Sequence, residues 1–82
     1  MKVMYPAVLS EENGLYKIKF PDLPGCQTEG KTIDEVKENA SLALSGYILV
    51  KGTVGEKINL PSSLSEIPCK PNEEKIHISF EI

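Results

Sequence analysis

Asp22, Glu29 and Asp34 are the side chains whose type and spacing bear most directly on catalysis. Metal-dependent cleavage of a phosphodiester needs several carboxylates converging on two ions, and these three form at most a weak acidic cluster. Each has a simpler role. Asp22 falls in a proline-rich turn, Glu29 on an exposed strand face, and Asp34 where a helix dipole favours a negative charge. His77 is the only histidine. It lies on the outward side of a terminal strand, with no second ligand at a metal-site spacing and no nucleophile to activate. Cys26 follows Gly25 at a strand start, with no cation or helix N-terminus beside it to lower its pKa. Cys69 lies far away in a loop. Two idle thiols in a reducing cytoplasm suit this pair better than a Cys26–Cys69 disulfide. No catalytic residue, metal or cofactor is expected.

The elements that position these residues follow from pattern. Residues 2–10 are strand-like, with Pro6 marking an edge or a bulge. Glu11 to Gly14 is a turn, since Asn-Gly supplies the positive φ of a tight hairpin. Residues 15–20 alternate: Tyr16, Ile18 and Phe20 face one way, Lys17 and Lys19 the other. After the stiff turn Pro21–Gly25, residues 26–30 make a short third strand, with Gln27 and Glu29 outward. Thr32 to Glu35 form a capping box in which Glu35 returns to the Thr32 N–H. The helix it opens is expected to run to about residue 51 and stop at Gly52. Ile33, Val36, Ala40, Ala43, Leu44, Tyr47 and Ile48 form its apolar stripe. Residues 53–74 are irregular, with one short helical turn capped by Ser63. From Lys75 to Ile82 alternation returns, with Ile76, Ile78, Phe80 and Ile82 inward. The expected fold class is α+β, a βββαβ arrangement of a single sheet with one packed helix. The last strand can join either edge.

The chain has 82 residues, 40% of them hydrophobic and 26% charged, with a net charge of −3. That implies one domain, spanning residues 1–82, and about 60–65% of the unfolded chain's surface buried. Such a thin core favours a homodimer or higher homo-oligomer. All nine basic residues are lysines, scattered without a run, so direct nucleic-acid binding is not expected. An acidic surface instead suits a basic protein. No signal peptide and no span of roughly 20 apolar residues is apparent, so the expected setting is cytoplasmic, away from membranes.

Residues 20–44 carry a resemblance. Phe20, the run Pro21 through Cys26, Thr28, Gly30, Thr32, Glu35, Ala40 and Ala43 resemble the core signature of the HicB-like antitoxins. Tyr5-Pro6, Gly14, Tyr16 and Pro61-Ser62 extend the match over nearly the whole chain. The resemblance implies a partly degraded RNase H-like fold. It also implies an antitoxin that binds and neutralises a small basic RNA-cleaving, HicA-like toxin. Family members often add a C-terminal DNA-binding segment; this chain departs from that pattern, stopping at Ile82 within its last strand. Asp22 and Glu29 complement a basic nuclease in charge. Lys17 and Lys19 opposite Gln27 and Glu29 read more simply as cross-strand pairs.

Leu42 and Leu49 lie opposite the apolar stripe, with Gly46 between them permitting close approach. Scattered exposed leucines are ordinary. The sharper expectation is a contact seam with another subunit or the toxin. The competing function is an orphan oligomeric module without a toxin, and a residual nuclease is a third. A small basic reading frame beside this one favours the antitoxin.

Overall fold

In the computed structural model, which describes residues 2–81, the chain opens with a hairpin made by two backbone angles. Asn13 and Gly14 have φ of 52° and 80°, the left-handed pair that a two-residue turn requires. This turn joins β1 (Lys2–Glu12) to β2 (Leu15–Lys19), with Glu12 opposite Leu15. Then follow β3 (Gln27–Gly30), α1 (Ile33–Thr53), a single 3-10 turn at Leu64–Glu66, and β4 (Glu74–Glu81). The sheet order is β3-β2-β1-β4, antiparallel throughout. The α+β expectation of one sheet and one packed helix holds, and β4 joins β1.

Pro6 therefore lies in an inner strand, which its missing N–H ordinarily forbids. The register resolves this. In a two-residue hairpin the closing pair is hydrogen-bonded, so even-numbered residues of β1 bond toward β2 and odd-numbered ones toward β4. Pairing with β2 begins only at Val8. The nitrogen of Pro6 thus points to a side where no strand stands, and β1 is locally an edge there.

Tyr5, Ala7 and Leu9 of β1, with Ile18, Phe20, Leu23, Cys26 and Ile78, pack against Val36, Ala40 and Leu44 of α1. Each Leu, Ile or Val so buried contributes about 1.5–3 kcal/mol. Ala43, Tyr47 and Ile48 border this core. Ile33, expected in the stripe, is 42% exposed, because it opens the helix before the first full turn has reached the sheet. Pro6 and Val8, on the other sheet face, are also almost fully buried, and so is Ile67 after the 3-10 turn. Glu73 pairs with Lys19 at 4.0 Å and lines the same concavity as Val8. The irregular segment after α1 therefore starts on the helix side, where Ile58 joins the core, and ends on the other sheet face at Glu73.

Both helix ends differ from expectation in detail. The Thr32 hydroxyl accepts from Glu35 N at 3.0 Å, as a cap should, but Glu35 Oε1 accepts from Lys31 N at 3.3 Å and not from Thr32. The helix also runs past Gly52. Gly55 (φ 75°) ends it, with Gly55 N donating to Gly52 O and Glu56 N to Lys51 O, the paired bonds of a Schellman termination. Gly55 can take the left-handed conformation, whereas Gly52 is held helical by the turn that follows it.

Gly30 lets the helix dock. A Cβ there would stand 2.8 Å from Val36 N and 3.0 Å from its Cα, and backbone atoms in a helix cannot yield. Gly30→Ala should lower stability by about 1–3 kcal/mol, measured as a shift in urea midpoint with an unchanged slope. An unaltered midpoint would mean that the helix start can slide.

Candidate functional site

The turn between β2 and β3 is two turns in series. Leu23 N donates to Phe20 O at 3.0 Å and Cys26 N to Leu23 O at 2.9 Å, with Phe20 N to Cys26 O closing the loop at 3.1 Å. Pro21 and Pro24 each take the second position of a turn, and Gly25 (φ 85°) the third position of the second, as a type II turn needs. Leu23, at the joint, is driven into the core. Asp22 is left facing the segment after α1.

There the Asp22 carboxylate is fully engaged. Oδ2 accepts from Ser62 N at 2.8 Å and Oδ1 from Ser62 Oγ at 2.6 Å. The Asp22 carbonyl accepts from Asn59 Nδ2 at 2.8 Å, and Asn59 O accepts from the Tyr5 hydroxyl at 2.7 Å. Burial, and then the charges of Asp22 and Tyr47, push the Tyr5 phenol above its ordinary value. It stays protonated and donating. Asp22 thus acts as a clasp between segments 40 residues apart. Pro61-Ser62 belonged to the sequence resemblance, but nothing local linked Ser62 to Asp22.

Glu29 stands elsewhere. Its side chain is on the sheet face away from α1, opposite Lys17 in register, beside a concavity of about 580 Å³ shared with Ser10, Glu12, Lys17, Lys19 and Gln27. Lys17 pairs with Glu12 at 3.6 Å, an exposed contact worth at most about 1 kcal/mol. Leu42 and Leu49 occupy the opposite layer and are 66% and 59% exposed. The structure does not gather the four candidates: Asp22 belongs to a clasp, Glu29 to the far sheet face, and the two leucines to the helix crest.

The crest is wider than the two leucines. Val50 is also exposed and lines a groove of about 410 Å³ with Gly25, Ala43, Gly46 and Tyr47. Nothing stands within 4 Å of where a Gly46 Cβ would be, so Gly46 is a bare saddle joining crest and groove. Lys51 borders the groove, 5.4 Å from the centre of the Tyr47 ring and bonded to Glu56 at 2.7 Å. Val50 and Tyr47 were the residues that sequence reasoning did not connect with the leucines. Their helical spacing was visible, but the turn that makes the groove's other wall was not.

Cys26 is buried beneath this groove, and its Sγ lies 3.7 Å from Ala43 O. Burial raises its pKa above the ordinary thiol value, so it is a packing residue. Cys69 is also a free thiol. Among the described residues no three His, Cys, Asp or Glu side chains stand together to hold a metal. No helix among them is long and apolar enough to cross a membrane.

Two measurements check these assignments. Asp22→Ala should cost about 1–3 kcal/mol, since it leaves the half-buried Ser62 donors unpaired, whereas Asp22→Asn should cost less; equal stability of all three proteins would remove the clasp. With Ellman's reagent, Cys69 should react promptly in the native protein and Cys26 only on unfolding. Rapid reaction of both would contradict the burial of Cys26.

Comparison with known proteins agrees with this architecture. A family model described as the HicB_like antitoxin of bacterial toxin-antitoxin system matches residues 5–80. A UPF0150 protein of Archaeoglobus fulgidus is 43% identical over 44 residues, covering 54% of this chain and 64% of that relative. The match thus spans just under two thirds of the relative's length. The N-terminal domain of the Burkholderia pseudomallei antitoxin HicB aligns with a TM-score of 0.78 at 24% identity, covering 98% of this chain and 100% of that one. A chain of a toxin–antitoxin complex from Streptococcus pneumoniae aligns with a TM-score of 0.85 at 19% identity, covering 96% and 69%. At these identities the two structures carry the fold alone. The family model carries more, because it runs from β1 to β4 without a break: the chain belongs to the HicB-like antitoxin family.

Proposed function

We propose that this chain binds and neutralises a small basic RNA-cleaving toxin of the HicA type, in the cytoplasm and without catalytic activity of its own. Family membership supports the role. The observation that supports a contact on α1 is its apolar crest and groove. Leu42, Leu49 and Val50 stand largely exposed among the described residues, and the Gly46 saddle opens a recess of apolar walls beside them. Exposed apolar patches rimmed by polar groups are where proteins meet partners, and a concave recess can receive an aromatic or aliphatic anchor.

Charge is consistent with a basic partner. Asp34 and Glu35 stand in the first turn of α1, and the chain carries a net −3. Such a field speeds encounter more than it tightens the final complex. Glu29 presents an exposed carboxylate to a basic surface from the other side of the molecule. Asp22 contributes by holding the segment that follows α1.

The test uses a purified small basic RNA-cleaving toxin of the HicA type. The Leu42→Glu, Leu49→Glu double variant should bind it at least tenfold more weakly, about 1.4 kcal/mol or more. RNA cleavage should return in the mixture while the circular dichroism and melting of the variant stay those of the wild type. Undiminished binding would move the contact off the helix. A chain that associates only with itself, with that toxin co-expressed, would favour an orphan oligomeric module.

A further inference from the structure

We propose that the outer edge of β4 pairs with the same edge of a second copy of this chain, antiparallel about a two-fold axis at Ile78, so that two sheets become one. The proposal stands on strand geometry and is independent of the toxin reading.

The register fixes which groups the edge presents. Odd-numbered residues of β1 bond toward β4, and they face Ile76, Ile78 and Phe80. The alternate residues Lys75, His77 and Ser79 therefore turn their N–H and C=O groups away from the sheet. One observation confirms the direction: Ser41 Oγ of the helix donates to Ser79 O at 2.8 Å from that outer side. No other hydrogen bond to the outward backbone groups of Lys75, His77 or Ser79 is found among the described residues. Apart from the Ser79 carbonyl, whose second lone pair stays available beside Ser41, this eight-residue strand is a template for another strand. The opposite edge is shorter: β3 has four residues, and its Glu29 carbonyl is held by Asn39 Nδ2 at 3.1 Å in the same way.

The sequence of β4 selects its own copy as the occupant. With the axis at Ile78, Lys75 lies opposite the second copy's Glu81, and His77 opposite its Ser79. On the inner face Ile76 meets Phe80 and Ile78 meets Ile78. Lys75–Glu81, His77–Ser79, Ile76–Phe80 and Ile78–Ile78 are thus opposite-charge, polar and apolar matches. Moving the axis to His77 would set Glu81 against Glu73, a like-charge pair. Ile76 and Phe80 are only half-buried although they pack against the core, so a neighbouring β4 would close the side of the core that α1 leaves open. An isologous contact of this kind closes as a dimer and does not propagate.

Light scattering coupled to size exclusion should give the wild type at least twice the 9.0 kDa chain mass. In hydrogen exchange the amides of His77 and Ser79 should be protected. His77→Pro removes an outward N–H while keeping the bonds to β1, and should halve the mass and leave the fold unchanged by circular dichroism. Lys75→Glu should weaken the assembly by placing two carboxylates together, and adding Glu81→Lys should restore it. This pair keeps the test decisive if the proline variant does not fold. A wild type that stays monomeric when concentrated would overturn the proposal. So would a folded His77→Pro protein of undiminished mass, or a charge exchange that fails to restore association.

Discussion

A four-stranded sheet has two faces and this chain has one helix, so one face must be covered by something less regular. That constraint shapes the molecule. β1 is buried on both sides, with Tyr5, Ala7 and Leu9 under α1 and Pro6 and Val8 behind. Without a second cover, those two residues would be left in water at the centre of the sheet. The segment from Val54 to Glu73, with a single short helical turn of its own, runs from the helix side to that face. Ordering so irregular a stretch costs about 1–2 kcal/mol per residue in backbone entropy, and its bonds to itself are local, around Ser63 and Lys70. The clasp of Asp22 on Ser62, with Asn59 bonded to both Asp22 and Tyr5, holds it.

This gives the Pro-Asp-Leu-Pro-Gly-Cys turn several structural roles. Its prolines and glycine set two consecutive turns, and Leu23 anchors them in the core. Asp22 grips the returning segment, and Cys26 fills the space under Ala43. Gly25 also forms part of the groove beside α1. A motif recognisable in sequence is thus explained by packing and hydrogen bonding at nearly every position, with no chemistry required of it. The groove follows from the same packing, because the turn supplies one wall and the helix supplies the other.

The helix serves the sheet from edge to edge. Val36, Ala40 and Leu44 form the buried line, while Asn39 reaches Glu29 O on β3 and Ser41 reaches Ser79 O on β4. Two polar side chains two positions apart point to opposite flanks because each residue turns a helix by about 100°. Each takes one carbonyl of an outer strand. Among the large apolar residues left exposed on the middle and end of α1 are Leu42, Leu49 and Val50.

Local features were legible in the sequence because their causes lie within a few residues. Asn13-Gly14 specifies a hairpin through its backbone angles, alternation in β2 and β4 specifies which side chains go inward, and Thr32 starts the helix through one hydroxyl. The exposure of Leu42 and Leu49 followed from helical period alone. Other features were decided only by tertiary structure. β4 could satisfy its hydrogen bonds against either edge, and the fold chose β1, which placed Pro6 in an inner strand at the one point where β2 has ended. The Gly55 stop, the scattering of the four candidate site residues over separate surfaces, and the Asp22–Ser62 clasp were equally hidden. The clasp joins positions 40 residues apart. Period and propensity describe neighbours along the chain, and they carry no record of which distant segment a turn will meet once the sheet has closed.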